Sequence, residues 1–460
     1  MGKDFSRKTI HESERETKVY DSADVAVVGG GPAGVASAIA SARSGAKTIL
    51  MERYGHLGGM ATGGLVLFYP YLSDATGEQQ IAGIAQEILD RLDVRGAALH
   101  PRKHELGSSR EDLVRYWMEY HGVTVDGHVR LSAYVDPEIL KCVLNDMIEE
   151  AGVELLLHSW GADAIVENNE VQGIIFQSKS GRKAVLGKVI VDTTGDGDIF
   201  ASAGAEFDGT LDPKLRSASL ALVFRVGNID HWRFRTFKIF ETERYAELMK
   251  ELTNMGGFHS YFPTHREDQL WFNNWLVGFS SLKVGDLTRV EVDTRKRMLI
   301  TFDFFKKNVP GFEKSFILDT ASQLGTRGSR RLIGEYIVTA DDMAKGILHE
   351  DTIAIIPRSA GYTSKDQPLR YIPYRALVPR RLENLLVAGR CFSSDVVAND
   401  TLNLITHCVV MGQAAGTAAA LAVSKNVKPR KIDHKLLQAH LIRQGVVLPD
   451  MAAGKVKKGS

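Results

Sequence analysis

Gly29, Gly31 and Gly34 stand in a G-x-G-x-x-G spacing directly behind the apolar run Val25–Val28. A short apolar run of this kind reads as a buried parallel strand, and Pro32 to about Arg43 reads as the helix that the glycines open. A second strand, Lys47–Met51, leads into Glu52, roughly 20 residues beyond the glycines. The glycines alone would be a weak signal. The strand before them, the helix after them and the acidic residue beyond make the setting a dinucleotide fingerprint requires. Each residue then has a task. Gly29 permits the tight turn, Gly31 lets a pyrophosphate approach the backbone, and Gly34 lets the helix lie close to the strand. The helix N-terminus offers free N–H groups and partial positive charge to phosphates. Glu52 would accept from ribose hydroxyls, and a carboxylate there argues against a 2′-phosphate and so against NADP. FAD and NAD share this fingerprint. The next stretch, Gly58-Gly59-Met60-Ala61-Thr62-Gly63-Gly64, carries little side chain and suits a backbone running beneath a bulky flavin.

The elements that must hold these residues follow in order. Residues 1–23 read as a polar leader. Gln79–Asp93 has helical spacing, Leu99–Ser109 reads as a loop, and Asp112–His121 as a short helix. Asp136-Pro137-Glu138 supplies an N-cap followed by proline at the first helical position. An apolar stripe from Ile139 to Ile148 and a terminal Gly152 complete that helix, and Val153–Leu157 follows as a further strand of the sheet. Three strands, Ala162–Glu167, Val171–Lys179 and Lys183–Asp192, with turn residues between them, form a β-meander. From about Gly204 to Arg358 strand-like segments (Ser219–Val226, Leu270–Val277) mix with helical ones (Glu241–Asn254, Val292–Lys307). Trp232, Trp271 and Trp275 cluster there and read mainly as core, with a substrate-facing wall as the alternative. Asn384–Gly389 is again a buried strand. A small-residue helix then runs from somewhere in 399–406 to Val423. Gly412 and Gly416, four apart on one face, each cost roughly 1 kcal/mol against alanine and so imply close packing against a neighbour.

Composition excludes several classes. The 460 residues are 44% hydrophobic and 25% charged with a net charge of +1, an ordinary globular balance with no bias towards nucleic acid. Cys142, Cys391 and Cys408 are far apart with no C-x-x-C, which argues against a disulfide framework, an iron–sulfur cluster or a structural zinc site, and no metal is expected. The polar start reads as neither a signal peptide nor a membrane span, so the expected location is cytoplasmic. Lys455–Ser460 reads as a solvated tail.

The motifs together resemble the FAD-dependent oxidoreductase family of glutathione-reductase-type Rossmann flavoproteins, related to the fumarate reductase and succinate dehydrogenase flavoprotein subunits. They are Val27–Gly34, Glu52-Arg53-Tyr54-Gly55, Gly58–Thr62, Thr194-Gly195-Asp196-Gly197-Asp198, Tyr371-Ile372-Pro373-Tyr374-Arg375, Ala388-Gly389-Arg390-Cys391 and Gly412–Gly416. The matches run from about residue 24 to 425 and are weakest between 205 and 320. The resemblance implies FAD as cofactor. It implies that Gly29, Gly31 and Gly34, with Pro32 and Ala33 at the helix start, hold the pyrophosphate, and that Glu52, beside Arg53, binds the adenosine ribose. Gly58, Gly59, Met60 and Ala61 would lie by the pyrophosphate and flavin, and Ala162 would meet adenine through its backbone. Thr194, Gly195 and Asp196 would line the phosphate path, Gly389 and Arg390 would contact the ribityl chain, and Asn403 and Leu404 would face the flavin's pyrimidine edge. This sequence departs from the family at Asn403 and Thr406, where arginine and proline are common, at Gly328, where an acidic residue is frequent, and at His56, where an apolar residue is usual. Related proteins tether FAD through a histidine shortly after the ribose carboxylate, which gives His56 a second reading.

The expected fold is α/β: a Rossmann-type FAD-binding domain with parallel sheet and β-meander, plus a mixed α+β substrate domain. The FAD-binding pieces are 24–66, 131–204 and 359–425, the cover or substrate pieces are 67–130 and 205–358, and 426–460 is a C-terminal segment. The expected function is oxidation of a small organic substrate by hydride transfer to flavin N5. The alternatives are reduction of an activated C=C bond and a flavin-bearing electron-transfer subunit. Oxidation of C–OH or C–NH needs a base near the reacting carbon, for which His407, Asp395 and Asp400 are candidates. Arg375, with Arg358 and Arg330 beside it as options, could clamp a substrate carboxylate. Only one G-x-G-x-x-G is present, so electrons would pass to dioxygen, a quinone or a redox protein rather than through a second nucleotide domain. Oligomeric state stays open.

Overall fold

Alternate residues of the first strand feed two different cores. Val25 and Val27 pack into one with Leu50, Val189, Val191 and Leu386, whereas Ala26 and Val28 pack into the other with Ile49, Met51, Ile190 and Val387. A strand buried on both faces must be apolar at every position, which is what Val25–Val28 is. The computed structural model describes residues 12, 14–358, 368–450 and 455–457. Most of the expected leader (residues 1–11 and 13) and the end of the expected tail (458–460) lie outside these described residues. Lys455–Lys457 runs antiparallel to Leu448–Asp450.

The central sheet takes its strands from distant parts of the chain. β1 is Val19–Val28, and α1 (Pro32–Arg43) leads from it to β2 (Thr48–Met51). α2 (Pro137–Glu150) precedes β3 (Glu154–Leu156). The meander is β4 (Trp160–Glu167), β5 (Glu170–Ser178) and β6 (Gly181–Asp192), and β7 is Leu385–Val387. The order is β3-β2-β1-β6-β5-β4, with β7 also beside β6. β3, β2, β1, β6 and β7 are parallel, and only the meander pairs are antiparallel. β6 serves both halves: Gly181–Leu186 pairs with β5, and Ile190–Asp192 with β7. Asp136 caps α2 as its sequence demands, its carboxylate accepting from the N–H groups of Glu138 (2.8 Å) and Ile139 (3.0 Å).

The expected small-residue helix is preceded by a shorter one. α3 (Val396–Leu402) ends at Asn403, and α4 (Ile405–Lys425) starts after Leu404. Among the described residues α4 alone is long and apolar enough to cross a membrane, and its apolar window is entirely buried inside the protein. It lies along α1. The expected helix from Gln79 starts only at Ile84, because Gly83 (φ +62°) turns the chain and Gln80 N–H is committed to the Leu72 carbonyl. The C-terminal segment is not peripheral: Leu437 and Leu441 of the helix His434–Arg443 belong to the main core.

Segments between Ser219 and Thr326 build a second layer, whereas Leu332, Val338, Ile353 and Ile356 return to the cores of the first sheet. A four-stranded sheet orders Tyr261–Pro263, Leu270–Phe272, Phe224–Gly227 and Phe316–Thr320 around an aromatic core containing Phe234, Phe272, Phe305 and Phe312. The expected strand Ser219–Val226 is broken at Leu222–Val223. Its first half pairs with Leu276–Val277 and Gly325–Thr326 in a separate sheet. The tryptophans divide. Trp271 is buried, Trp275 is partly exposed, and Trp232 is 75% exposed on the helix His231–Phe240, so it is no part of the core.

Candidate functional site

The glycine turn is fixed from both sides. Gly29 (φ +101°) donates to the Met51 carbonyl (2.8 Å), and the Thr193 hydroxyl at the end of β6 donates to the carbonyls of Val28 and Gly29, both at 2.8 Å. A Cβ at Gly34 would fall 1.7 Å from the Gly29 carbonyl oxygen, so the helix could not approach with any side chain there. Gly31 differs. A Cβ at Gly31 would meet nothing within 4 Å, yet the residue lines a long cavity. The protein leaves that space open at the start of α1, whose Gly31 N-cap has no capping side chain. An open cradle at an uncapped helix N-terminus fits a pyrophosphate.

Glu52 lines the same cavity and accepts from Gly30 N–H (2.6 Å) and Tyr54 N–H (2.8 Å). Two backbone donors fix the carboxylate and leave lone pairs for a ribose hydroxyl. Arg53 lies 4.9 Å from the Tyr54 ring centre and 5.6 Å from that of Trp160, and all three line the cavity. These flat groups line one end of the cavity. The loop after Glu52 returns to the turn through Gly58 N–H, which donates to the Gly30 carbonyl (2.8 Å). Arg390 is held by the Gly195 carbonyl (2.9 Å), the Thr326 carbonyl (2.8 Å) and the Asp196 carboxylate (2.8 Å).

Beyond Met60 and Gly59 the cavity continues into an aromatic chamber. Phe68, Tyr71, Phe262, Trp271 and Trp275 form walls, with His121, Arg216, Asn273, Gln323 and Arg327 among the polar side chains. Asn403, Leu404 and Ile405 bring the start of α4 to this cavity, and Leu404 supplies no side-chain cap. A second uncapped helix N-terminus therefore faces it.

Of the cofactor residues read from the sequence, Gly29, Gly31, Pro32, Ala33, Glu52, Arg53, Gly59, Met60, Thr194, Gly195, Gly389, Arg390, Asn403 and Leu404 line this one cavity. Gly34, Gly58, Ala61 and Asp196 stand behind it and shape those that do. Ala162 is exposed on β4, and its neighbours Trp160 and Gly161 face the cavity instead. His56 does not line the cavity; it stacks on Tyr54 (5.6 Å between centroids) and its Nε2 lies 3.1 Å from Ser322 Oγ. The three expected catalytic side chains are separated from the cavity. His407 is fully buried on another side of α4, where burial, with the Arg370 charge, depresses its pKa to about 3. Asp395 caps α3, accepting from Ala398 N–H (2.7 Å), and also takes Ala340 N–H (2.8 Å). Arg375 pairs with Asp351 (3.1 Å). Arg330 pairs with Asp198 at 3.1 Å, Arg358 with Asp126 at 3.7 Å, and Asp400 accepts from Ser217 N–H at 2.6 Å.

The departures from the family pattern have local causes. A side chain at Gly328 would meet the Ser217 carbonyl at 2.8 Å, so no acidic residue fits. Asn403 donates to the Arg327 carbonyl (2.8 Å), and the Thr406 hydroxyl to that of Pro70 (2.6 Å). Among the described residues no group of three or more histidine, cysteine or acidic side chains is arranged to hold a metal.

A Rossmann sheet with a nucleotide cradle opening into a chamber defines the flavoprotein class. The chain belongs to the FAD-dependent oxidoreductase family, whose model matches residues 24–441. It is an oxidoreductase with FAD as cofactor. No curated protein matches the sequence. Similar solved structures include a geranylgeranyl bacteriochlorophyll reductase-like protein of Thermoplasma acidophilum, 15% identical over 92% of this chain and 84% of that one, with a TM-score of 0.43. Another is the p-nitrophenol 4-monooxygenase PnpA of Pseudomonas putida, 12% identical over 92% of this chain and 85% of that one, with a TM-score of 0.47.

Proposed function

We propose that the enzyme holds FAD extended along the cavity and oxidises a small organic molecule in the aromatic chamber. The observation that carries this reading is continuity: one cavity joins the Gly31 cradle and the Glu52–Trp160 mouth to walls contributed by residues 216–327. Bound FAD supplies a two-electron acceptor. The chain supplies the rest. Gly31 and the start of α1 would take the pyrophosphate, Glu52 the ribose, and Arg53 with Trp160 the adenine. The start of α4 would face the edge of the flavin ring and favour negative charge there by about 0.3–1 kcal/mol, and up to ~2 kcal/mol when partly buried.

The chamber suits a flat, largely apolar substrate with an anionic group. Phe68, Phe262 and Trp271 offer apolar faces, and Arg216 and Arg327 offer the charge. The carboxylates that line the cavity, Glu52 and Asp198, belong to the Arg53 end. Walls from the second layer favour an enzyme over an electron-transfer subunit, which would expose a flat apolar face near the flavin.

Anaerobic mixing of the oxidised holoenzyme with aromatic and aliphatic hydroxy acids and amino acids tests the reading. One compound should bleach the yellow colour and thereby name the substrate. Recolouring of the reduced enzyme by an α,β-unsaturated acid, with no bleaching by any panel member, would reverse the direction. Neither response would leave the electron-transfer role.

A further inference from the structure

His121 is a titratable side chain of the chamber to which cofactor binding gives no task. Its ring stands edge-on between Phe68 and Phe262, 5.8 Å from each centroid at 63° and 64°. The backbone behind it is held by three side chains. Tyr134 Oη donates to the His121 carbonyl (3.1 Å), and the Gly122 carbonyl accepts from both Arg130 Nε and Ser132 Oγ at 2.9 Å. Gly122 has φ +77°, and a Cβ there would lie 2.5 Å from Phe68 Cζ and 2.9 Å from Tyr71 Cε1. Only glycine fits this turn, and the turn delivers the imidazole to the chamber wall, where it stays accessible. A histidine that served packing alone would need neither the clamp nor the opening.

Arg130 is the most costly part of the arrangement. It is fully buried, and among the described residues it forms no ion pair and its Nη2 no hydrogen bond. Its guanidinium lies 3.9 Å from the Tyr71 ring centre. Its Nε and Nη1 donate to the carbonyls of Gly122 and Arg358, so backbone oxygens rather than a carboxylate hold the buried charge.

We propose that His121 is a catalytic residue that accepts the substrate's hydroxyl or amino proton as the adjacent carbon is oxidised, with Arg130 its positioning residue through Gly122. This rests on the oxidative reading above. The O–H or N–H bond breaks, its proton forms the imidazolium of His121, and its electron pair forms the new C=O or C=N bond. The C–H bond breaks with its pair, which leaves as hydride to FAD, the oxidant. Burial first, then the charges of Arg130 and Arg216, holds His121 below the usual histidine range and therefore neutral and able to accept at pH 7. The phenols of Tyr71 and Tyr134 stand on the neighbouring elements, Arg216 is bound to Asp400, and Glu119, two residues away, is paired with Arg235.

The test compares wild-type holoenzyme with His121→Gln. With the compound that bleaches wild type, the bleaching rate should rise with pH through a limb below the ordinary histidine range and then level. His121→Gln should keep its bound FAD, lose at least about 100-fold in rate and show no such limb. Histidine-selective NMR of the oxidised holoenzyme gives a readout independent of turnover. One resonance, absent from His121→Gln, should titrate below the ordinary range and move upward in Arg130→Met or, should that variant not fold, in Arg216→Gln. Bleaching of His121→Gln at the wild-type rate, or a His121 resonance in or above the ordinary range, overturns the inference alone. Failure of every compound to bleach wild type overturns the oxidative reading instead.

Discussion

A Cβ at Gly412 would lie 2.0 Å from the carbonyl oxygen of Ala33, and one at Gly416 would lie 2.0 Å from that of Ser37. α4 therefore packs backbone against backbone on α1. That contact sets two helix starts, Gly31–Ala33 and Leu404–Ile405, on one cavity.

Gly412→Ala should destabilise the protein by about 1–3 kcal/mol, because the methyl group has no space and the helices must part. It should also reduce the FAD retained on purification. The control is Gly285→Ala at the exposed start of the helix Val284–Asn308, where a Cβ would meet nothing within 4 Å. There the usual helical preference for alanine, about 1 kcal/mol in a helix interior, should leave stability unchanged or raised. Urea denaturation of the three proteins decides the signs.

Gly31 and Gly34 separate cofactor binding from folding within one motif. Gly31 has φ −71° and ψ −173°, open to any residue, and its missing Cβ faces empty cavity. Gly31→Ala should leave the melting of the FAD-free protein within about 0.5 kcal/mol of wild type and weaken FAD binding. Gly34→Ala, with its methyl against the Gly29 carbonyl, should impair folding itself. Fluorescence titration with FAD, alongside denaturation of the FAD-free proteins, distinguishes the two.

The legible parts of this molecule are those set by near neighbours in the chain. The glycine turn, the Asp136-Pro137 cap and the small face of α4 depend on a few adjacent residues, so their spacing carried the meaning. The β4 end of the cavity shows how narrow the margin is. Trp160 and Gly161 line the cavity while Ala162, next on β4, is exposed, and the alternation of a strand does not tell at which residue the cavity ends. His407 misses the cavity because of helical spacing. Ile405 and Cys408 lie three apart on the face towards the cavity, and His407 falls between them in sequence on a different face. The chamber was beyond reach for another reason. His121, Arg216, Trp271 and Gln323 come from separate stretches whose apolar patterns say only that they are buried, not against what.

Glu52 offers a test of the ribose assignment. Glu52→Gln keeps the shape but loses the charge that the Gly30 and Tyr54 N–H groups and a ribose hydroxyl would share. Hydrogen bonds to a charged group are worth about 1.5–3 kcal/mol, so FAD affinity should fall by roughly 10- to 100-fold. Affinity for FMN, which lacks the adenosine, should not change if it binds at all. Calorimetry with both ligands measures the difference.

His407 makes acid sensitivity a property of the α4 core. Its pKa lies at about 3 in the folded protein because of burial and the Arg370 charge, against 6.5 ordinarily. Between these values the unfolded chain binds a proton that the folded one refuses. Its contribution is therefore fully present above pH 6.5 and is lost as pH falls towards 3, by about 1.4 kcal/mol per unit. Asp192 runs the other way. Burial raises its carboxyl from 3.8 to about 6, so its contribution is present below 3.8 and lost as pH rises through 6. The two oppose each other between about pH 4 and 6, and the wild-type profile alone would conceal both. The difference between wild type and His407→Leu isolates the histidine. Relative to pH 8, the variant should gain about 2 kcal/mol on wild type at pH 5, read from urea denaturation at the two pH values. An unchanged difference between pH 8 and pH 5 would mean that His407 charges inside the folded protein, and that its pocket is wetter than the packing of α4 implies.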